Sequence, residues 1–283
     1  MKRFNIIHRT YYTFAGPVTL GTHELRLRPR ENHDLRIESC SLNISPTPEI
    51  RWHRDIEDNS VATAEFSTTT LRLAVESEVV IQQFNQRPLD FLVAPHAAYY
   101  PFDYTSSSRS QLHPYLNQAA TVDTTRWSEW LGTVRKPGQK IQTYTLLEGI
   151  THRIHREFRY RTRDEQGVQD PEQTLALGSG SCRDFATLFI ATARRLGLAA
   201  RFVSGYLNAP PSSYDYGATH AWVDVYLPGA GWKGFDPTLG RIAGADHIAV
   251  AVAADPESVP PISGSFVGQP GTFMDVGVWV SEI

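Results

Sequence analysis

The sequence has little cysteine, no surplus of basic residues and no long apolar run. Only two of its 283 residues are cysteine, Cys40 and Cys182, which excludes a disulfide framework and favours a reducing, cytoplasmic environment. Lysine and arginine number 27 against 30 acidic residues, without the basic excess of a nucleic-acid-binding protein. No window approaches the roughly 18 consecutive apolar residues of a membrane-spanning helix, and the first residues lack the apolar stretch of a secretory signal. We therefore expect no nucleic-acid partner, no membrane association and a cytoplasmic location.

Alternating apolar and polar side chains fill the first eighty residues. Over residues 71–81 the alternation has the period of a strand with one solvent-exposed face. A similar pattern over residues 35–44 changes face near Glu38, which indicates a β-bulge. Turn residues at 15–17, 45–48 and 57–59 separate these runs, and no amphipathic helix pattern occurs among them. We predict an antiparallel β-sandwich for this N-terminal part.

The second half of the chain changes to helical spacing. Leu147, Ile150, Ile154 and Phe158 recur three or four residues apart, as on one face of a helix. The stretch Cys182–Leu196 is apolar on nearly every face, which is typical of a buried helix, and Gly197 is expected to end it. Strands are predicted at residues 200–207, 219–227, 232–235, 247–253 and 273–280.

These elements predict two domains. A buried helix packed on antiparallel strands is an α+β pattern, so we expect a β-sandwich with its connection at 1–115 and an α+β domain at 116–283. The connection over 85–115 is rich in proline and tyrosine, together with serine, and does not have the Gly/Ser composition of a flexible linker. We expect it to be ordered and to hold the two domains as one rigid body.

Cys182 stands where a run of small residues leads into the buried helix. The preceding residues 178–181 read Gly-Ser-Gly-Ser and allow a tight backbone turn. The first turn of a helix presents free N–H groups and the positive end of the helix dipole, which favour the nucleophilic thiolate and could stabilise the oxyanion of an attacked carbonyl. On local sequence alone, an unreactive cysteine of the core fits this position equally well.

His220 and Asp236 could supply the other groups of a nucleophilic site. His220 stands at the entry of the predicted strand 219–227, on the face opposite its apolar residues. Asp236 follows sixteen residues later in an Asp-Pro-Thr turn, where a neighbouring strand would bring its carboxylate beside the imidazole. A nucleophile, a base and an orienting carboxylate in this order satisfy the requirements of cysteine-dependent catalysis.

Two segments carry a resemblance to a known family. The first, from residue 178, reads GSGSCRDFATLFIATARRLGLAARFVSGYL, and the second, from residue 219, reads THAWVDVYLPGAGWKGFDPTLG. Together they resemble the core of the transglutaminase-like superfamily, in its bacterial branch of cysteine proteases, over about residues 140–240. Residues 23–30, HELRLRPR, resemble the β-rich N-terminal domain that accompanies this branch.

The resemblance implies a papain-like transglutaminase core with a Cys–His–Asp triad, carried here by Cys182, His220 and Asp236. It also matches Asp184 to an acid of the family, for which we expect a structural role on the helix. The implied reaction is attack of the Cys182 thiolate on an amide or peptide carbonyl, with His220 as base and then acid.

The same three residues would serve two outcomes. Attack by Cys182 forms a thioester with the acyl group of the substrate. The acyl group then passes to water in a protease or amidase, and to an amine in a transglutaminase. We favour hydrolysis of a peptide or protein amide, because water is always present and the sequence shows no site for an acceptor amine. A non-catalytic binding module that retains the fold is a further alternative.

No cofactor or metal is expected. Animal members of the family that crosslink proteins use calcium, but no Asp/Asn-rich loop with ligand spacing occurs here. His152 and His155 could face a metal from one helix, yet no cluster of further ligands accompanies them, so a solvated face is the simpler interpretation. Cys40 lies on a predicted strand and is expected to fill the core.

Overall fold

Strands at both ends of the chain enclose a helical middle. The computed structural model describes residues 1–84, 87–117, 124–136, 138, 140–163, 165, 167–209 and 217–283. Helices and strands occur together with an antiparallel sheet at the N-terminus, which confirms the predicted α+β class. None of the helices in these ranges combines the length and the apolar character needed to cross a membrane.

Five strands in the first third of the chain form a curled antiparallel sheet. They are β1 (Lys2–Leu25), β2 (Leu35–Ser45), β3 (Glu49–Arg54), β4 (Ser60–Glu65) and β5 (Thr69–Gln83). Their spatial order is β2-β5-β1-β4-β3. The pairing of β2 with β5 shifts register between Ile37 and Ser39, which confirms the bulge predicted at Glu38.

β1 continues through a segment where the sequence predicts a turn. Residues 15–17 do not reverse the chain, because β1 stays extended from Lys2 to Leu25, so that prediction is wrong. Instead, the pairing of β1 with β5 shifts register between Thr13 and Val18. Proline cannot donate to a strand ladder and is tolerated at such irregularities, which explains how Pro17 is accommodated within the strand.

Short elements and helices follow in the middle of the chain. They are β6 (Tyr99–Tyr100), α1 (Ser106–Gln111), α2 (His113–Leu116), α3 (Thr125–Val134), β7 (Ile141–Gln142), α4 (Thr143–Glu157), β8 (Arg159–Tyr160), α5 (Pro171–Leu177), β9 (Ser179–Gly180) and α6 (Cys182–Arg195). α4 buries Leu147, Ile150 and Ile154, as the spacing predicts. α6 buries nine of its fourteen residues, and Gly197 follows it with a positive φ of 77°, as expected of a residue that ends a helix.

A second antiparallel sheet packs against α6. Its strands are β10 (Ala200–Leu207), β11 (His220–Leu227), β12 (Gly231–Asp236), β13 (Arg241–Ile242) and β14 (His247–Ala253), in the order β13-β12-β11-β10-β14. The residues of β11 that share a core cluster with α6 are Ala221, Val223, Val225 and Leu227. The rings of Phe189 on α6 and Phe235 on β12 stack with centroids 5.9 Å apart. The buried helix on an antiparallel sheet matches the predicted core.

The last two strands return to the N-terminal sheet. β15 (Ile262–Gly268) and β16 (Thr272–Glu282) both pair antiparallel with β1. The strand predicted at 273–280 thus lies within β16, whose main partner is the first strand of the chain. β15 was not predicted. The division into 1–115 and 116–283 stays a prediction, and these pairings cross it.

The described part of the connection, residues 87–115, packs on the core; residues 85 and 86 lie outside the described residues. Tyr100 and Tyr104 are buried. The hydroxyl of Tyr100 donates to the carbonyl of Leu196 at 2.9 Å, and that of Tyr104 to the carbonyl of Tyr226 at 2.9 Å. These contacts support the expectation of an ordered connection, although Tyr99 is exposed.

His8 lies buried where β1 meets β10. Its Nδ1 is 3.1 Å from the Tyr206 hydroxyl, and its Nε2 is 3.1 Å from Thr10 Oγ1. Tyr206 in turn donates to the carbonyl of Leu27. Burial lowers the pKa of His8 to about 4, so the imidazole is neutral in the folded protein at neutral pH.

His8 should make the fold sensitive to acid. Its pKa is about 4 in the folded protein and about 6.5 in an unfolded chain, so the unfolded state takes up the proton first as the pH falls. The free energy of unfolding should therefore drop between about pH 6.5 and pH 4, by roughly 3 kcal/mol. His8→Gln should reduce this drop, as measured by urea unfolding at pH 7.5 and pH 4.5. The exposed His53, changed to Gln, is the control, and an equal acid sensitivity in all three proteins would contradict the assignment.

Candidate active site

The approach to α6 places Cys182 as the first residue of the helix. Ser181, just before it, donates from its backbone N and its Oγ to Asp184 Oδ2 at 2.8 and 2.9 Å, the kind of contact that satisfies groups at a helix start. Gly180 has no space for a side chain, since a Cβ there would lie 2.7 Å from the Cβ of Asp184. The close approach of β9 to the first turn of α6 thus explains the glycine at position 180.

Asp184 is a buried structural carboxylate. Besides the two donors of Ser181, its Oδ1 accepts from Arg163 Nη1 and from the backbone N of Gln169, both at 2.7 Å. The side chain of Asp184 is fully buried, and both oxygens are occupied by these donors. The structural role expected for Asp184 agrees with this arrangement, which fixes the segment around Gln169 and β9 to the start of α6.

The thiol of Cys182 is almost enclosed. The residue is 7% exposed and belongs to the core cluster that contains Phe185 and Ala221. Ala221 follows His220 directly on β11, so the packing of α6 on β11 determines where the sulfur and the imidazole lie. Among the described residues, no hydrogen bond to the Cys182 sulfur is present. The N–H groups of the first helical turn, which lack partners within a helix, lie around this position.

His220 and Asp236 are brought together as the sequence predicts. His220 is the first residue of β11 and Asp236 the last residue of β12. The two strands are paired, with Val223 opposite Phe235. His220 Nε2 donates to Asp236 Oδ2 at 2.8 Å, and both side chains are fully buried.

The carboxylate of Asp236 also shapes the turn that follows it. Its Oδ1 accepts from the backbone N of Thr238 at 2.9 Å and of Leu239 at 3.0 Å. One oxygen of Asp236 thus bonds the His220 imidazole, and the other caps the Asp-Pro-Thr turn. Burial disfavours the charged form, but the charge of His220 and hydrogen bonds from His220 and His247 hold the pKa of Asp236 far below its ordinary value. The carboxylate is therefore ionised.

His247 is a site residue that the sequence analysis missed. It opens β14 and its Nε2 lies 2.9 Å from the same Asp236 Oδ2 that accepts from His220. Its Nδ1 accepts a hydrogen bond from the backbone N of Gly244 at 3.2 Å. Burial lowers the pKa of His247 despite the neighbouring Asp236. In the sequence the residue was only the start of a predicted strand, with no spacing that linked it to Asp236.

Trp222 lies against both imidazoles. Its ring is nearly parallel to that of His220, with centroids 6.1 Å apart, and meets that of His247 edge to face at 5.2 Å. Gly205 on β10 makes room for it, because a Cβ there would lie 2.7 Å from Trp222 Cη2. The indole thus packs on the two rings that converge on Asp236.

The two histidines and Asp236 also have the spacing of a metal site. Among the described residues they are the group whose ligand atoms all lie within 4.8 Å of one another. A metal on His247 Nε2 would require the proton of the neutral ring on Nδ1. That nitrogen already faces the Gly244 N–H, so two donors would oppose each other. The residues fit a hydrogen-bonded cluster and do not fit a metal centre.

His155 has a structural contact that the sequence interpretation of a solvated helix face missed. Its Nδ1 donates to the carbonyl of Thr238 at 2.7 Å. A Cβ on Gly240, which has a φ of 67°, would lie 2.7 Å from the His155 ring. The imidazole therefore attaches α4 to the turn that Asp236 begins.

Comparisons with known proteins find two family models that match this chain. The family model "Transglutaminase-like superfamily" matches residues 136–237, and "Bacterial transglutaminase-like N-terminal region" matches residues 4–82. The chain belongs to the transglutaminase-like superfamily. The first match contains Cys182, His220 and Asp236, and the second covers nearly all of β1–β5.

Several bacterial proteins are similar to this superfamily member over nearly its whole length. An uncharacterized protein of Mycobacterium tuberculosis is 28% identical over 98% of this chain and 91% of its own. One of Mycobacterium leprae is 27% identical over 100% of both chains. A crystal structure from Cytophaga hutchinsonii, of a protein named a candidate cysteine protease, has a TM-score of 0.74 and 18% identity, covering 100% of this chain and 91% of that one. This likeness establishes the shared fold.

Removal of the Asp184 carboxylate should weaken the fold strongly. Asp184→Ala leaves the side chain of Arg163 and the backbone N atoms of Ser181 and Gln169 without their acceptor. We expect a loss of about 3–5 kcal/mol in the free energy of unfolding, measured by urea titration. Glu65→Ala, which removes an exposed ion pair with Arg51, is the control and should cost less than about 1 kcal/mol. Equal costs for the two variants would contradict the structural role.

Proposed function

We propose that the protein is a cysteine-dependent hydrolase of peptide or amide bonds, with Cys182 as nucleophile, His220 as base and then acid, and Asp236 as the carboxylate that orients His220. The buried 2.8 Å hydrogen bond between His220 and Asp236 carries this proposal. The position of Cys182 at the start of α6 and the packing of that helix on β11 support it. Both cysteines are free, in keeping with a reducing, cytoplasmic setting.

The chemistry proceeds in two stages. His220 takes the thiol proton, and the sulfur of Cys182 attacks the carbonyl carbon, with backbone N–H groups of the first helical turn as donors to the oxyanion. The C–N bond then breaks, and the amine leaves with the proton that His220 returns. Water attacks the resulting thioester as His220 takes its proton. The C–S bond then breaks, the acid product leaves, and His220 returns the proton to the sulfur of Cys182.

The small exposure of Cys182 favours a slender substrate. At 7% exposure the thiol can be reached by a side chain or an extended segment rather than by the flat surface of a folded domain. A peptide or protein amide satisfies this condition whether the acyl group passes to water or to an amine. A peptide-library assay with and without an added primary amine separates the outcomes: cleavage alone supports hydrolysis, and amine incorporation would support a transglutaminase.

Cys182 should be the thiol on which activity depends. Cys182→Ala should abolish turnover and leave the fold intact, because the alanine removes the nucleophile without adding volume to the core. The matched variant Cys40→Ala should retain most of the activity. Iodoacetamide labelling followed by mass spectrometry locates the modified residue. Inactivation with Cys182 unmodified would contradict the assignment, and an active Cys182→Ala protein would favour a different chemistry.

Asp236 should act through the orientation and charge of His220. Asp236→Asn keeps the shape but removes the charge and can turn an N–H towards the ring, so turnover should fall by roughly two to four orders of magnitude. His220→Ala should be at least as damaging, and the double variant about as poor as the worse single one, because such residues act as a unit. Asp275→Asn on the exposed part of β16 is the control. A near-normal rate for Asp236→Asn beside an inactive His220→Ala would leave a Cys–His pair without the carboxylate.

A further inference from the structure

One oxygen of Asp236 binds two imidazoles at almost the same distance. His220 Nε2 lies 2.8 Å and His247 Nε2 lies 2.9 Å from Asp236 Oδ2. His220 lies on β11, next to the β12 strand of Asp236, whereas His247 lies on the edge strand β14, which β10 and β11 separate from β12. An arrangement of this kind requires that both rings present an N–H to the same atom.

The second nitrogen of His247 identifies its protonation state. A backbone N–H can only donate, so the bond from Gly244 N to His247 Nδ1 requires a lone pair on Nδ1. His247 is therefore neutral, with its proton on Nε2, where it is donated to Asp236. The backbone N of His247 also donates to the carbonyl of Gly244 at 2.9 Å. The Gly244 N–H and the Asp236 carboxylate thus hold the ring at its two nitrogens, and neither nitrogen is available to exchange a proton with a thiol.

We propose that His247 is a positioning residue that fixes the plane of the Asp236 carboxylate, so that Oδ2 is held in place for His220. This inference rests on the proposed function, in which His220 serves Cys182. It assigns the two histidines different tasks, because His247 acts only through Asp236.

The need for such a residue follows from the geometry of the carboxylate. The backbone N atoms of Thr238 and Leu239 hold Oδ1, but hydrogen bonds to one oxygen still allow some rotation of the carboxylate. Without His247, His220 would be the one ring that bonds Oδ2, so the residual rotation of the carboxylate would be limited by the same ring that it has to orient. A second donor that is itself attached to the backbone removes this circularity. Trp222 packs against both rings and restricts their movement.

The test measures alkylation of Cys182 by iodoacetamide in a Cys40→Ser background, where Cys182 is the only thiol. His247→Phe removes the donor and should slow alkylation at pH 7.5 by about tenfold or more, as expected for loss of a hydrogen bond to a charged group. His247→Gln places an amide N–H near the position of Nε2 and should restore most of the rate. The control is His8→Phe, which removes another buried imidazole of the sheets and should stay within about twofold of the parent.

Results of two kinds would overturn the inference. One is a Gln variant as slow as the Phe variant, or a His8→Phe variant as slow as both, since a purely structural effect would not distinguish them. The other is a ¹⁵N spectrum of the unmodified protein in which the proton of His247 resides on Nδ1, a measurement that remains valid even if the Phe variant does not fold. His220→Ala separates the two proposals: if it leaves alkylation unchanged, the role of His220 fails, whereas a slow His220→Ala beside a normal His247→Phe rejects the positioning role alone.

Discussion

The buried carboxylate of Asp236 is the constraint on which the site depends. An isolated ionised carboxylate inside a protein is very costly unless donors surround it. Asp236 is fully buried and accepts four hydrogen bonds, from His220, His247 and the backbone of Thr238 and Leu239. These donors belong to β11, to β14 and to the turn after β12. The donors from these strands that stabilise the buried charge are therefore the same ones that build the proposed site.

The N-terminal sheet contributes to this convergence from a distance. β14 is an edge strand of its sheet, and an open edge would leave backbone groups unpaired. The backbone N of Arg30 donates to the carbonyl of Ala249 at 2.9 Å, and the side chain of Asn59 bonds both the N and the O of Val252, at 2.9 and 2.8 Å. The N-terminal part therefore covers the strand that begins with His247. This physical link explains why a β-rich unit that carries none of the proposed catalytic residues is built so closely onto the core.

Local patterns predicted the parts of the structure that local interactions determine. The alternation around Glu38, the stripe of α4 and the span of β14 follow from side-chain period alone, and the spacing of His220 and Asp236 suits a paired hairpin. Strand pairings between residues that are far apart in the sequence could not be predicted in this way. The sequence does not encode locally that β15 and β16 leave the second sheet to pair with β1. It also does not encode locally the register shift of β10 against β14 between Ser204 and Gly205, or the contact of His247 with Asp236.

The two histidines show why contact distance alone does not assign a role. Both rings bind the same oxygen with bonds that differ by 0.1 Å, and the ligand atoms of all three residues lie within 4.8 Å of one another, as in a metal site. What distinguishes His247 is the partner of its second ring nitrogen. In His247 the Gly244 N–H occupies Nδ1, which fixes the tautomer, keeps the ring neutral and excludes both metal ligation and proton exchange. The direction of a single backbone N–H therefore separates an imidazole that can only hold a carboxylate from one that could pass a proton.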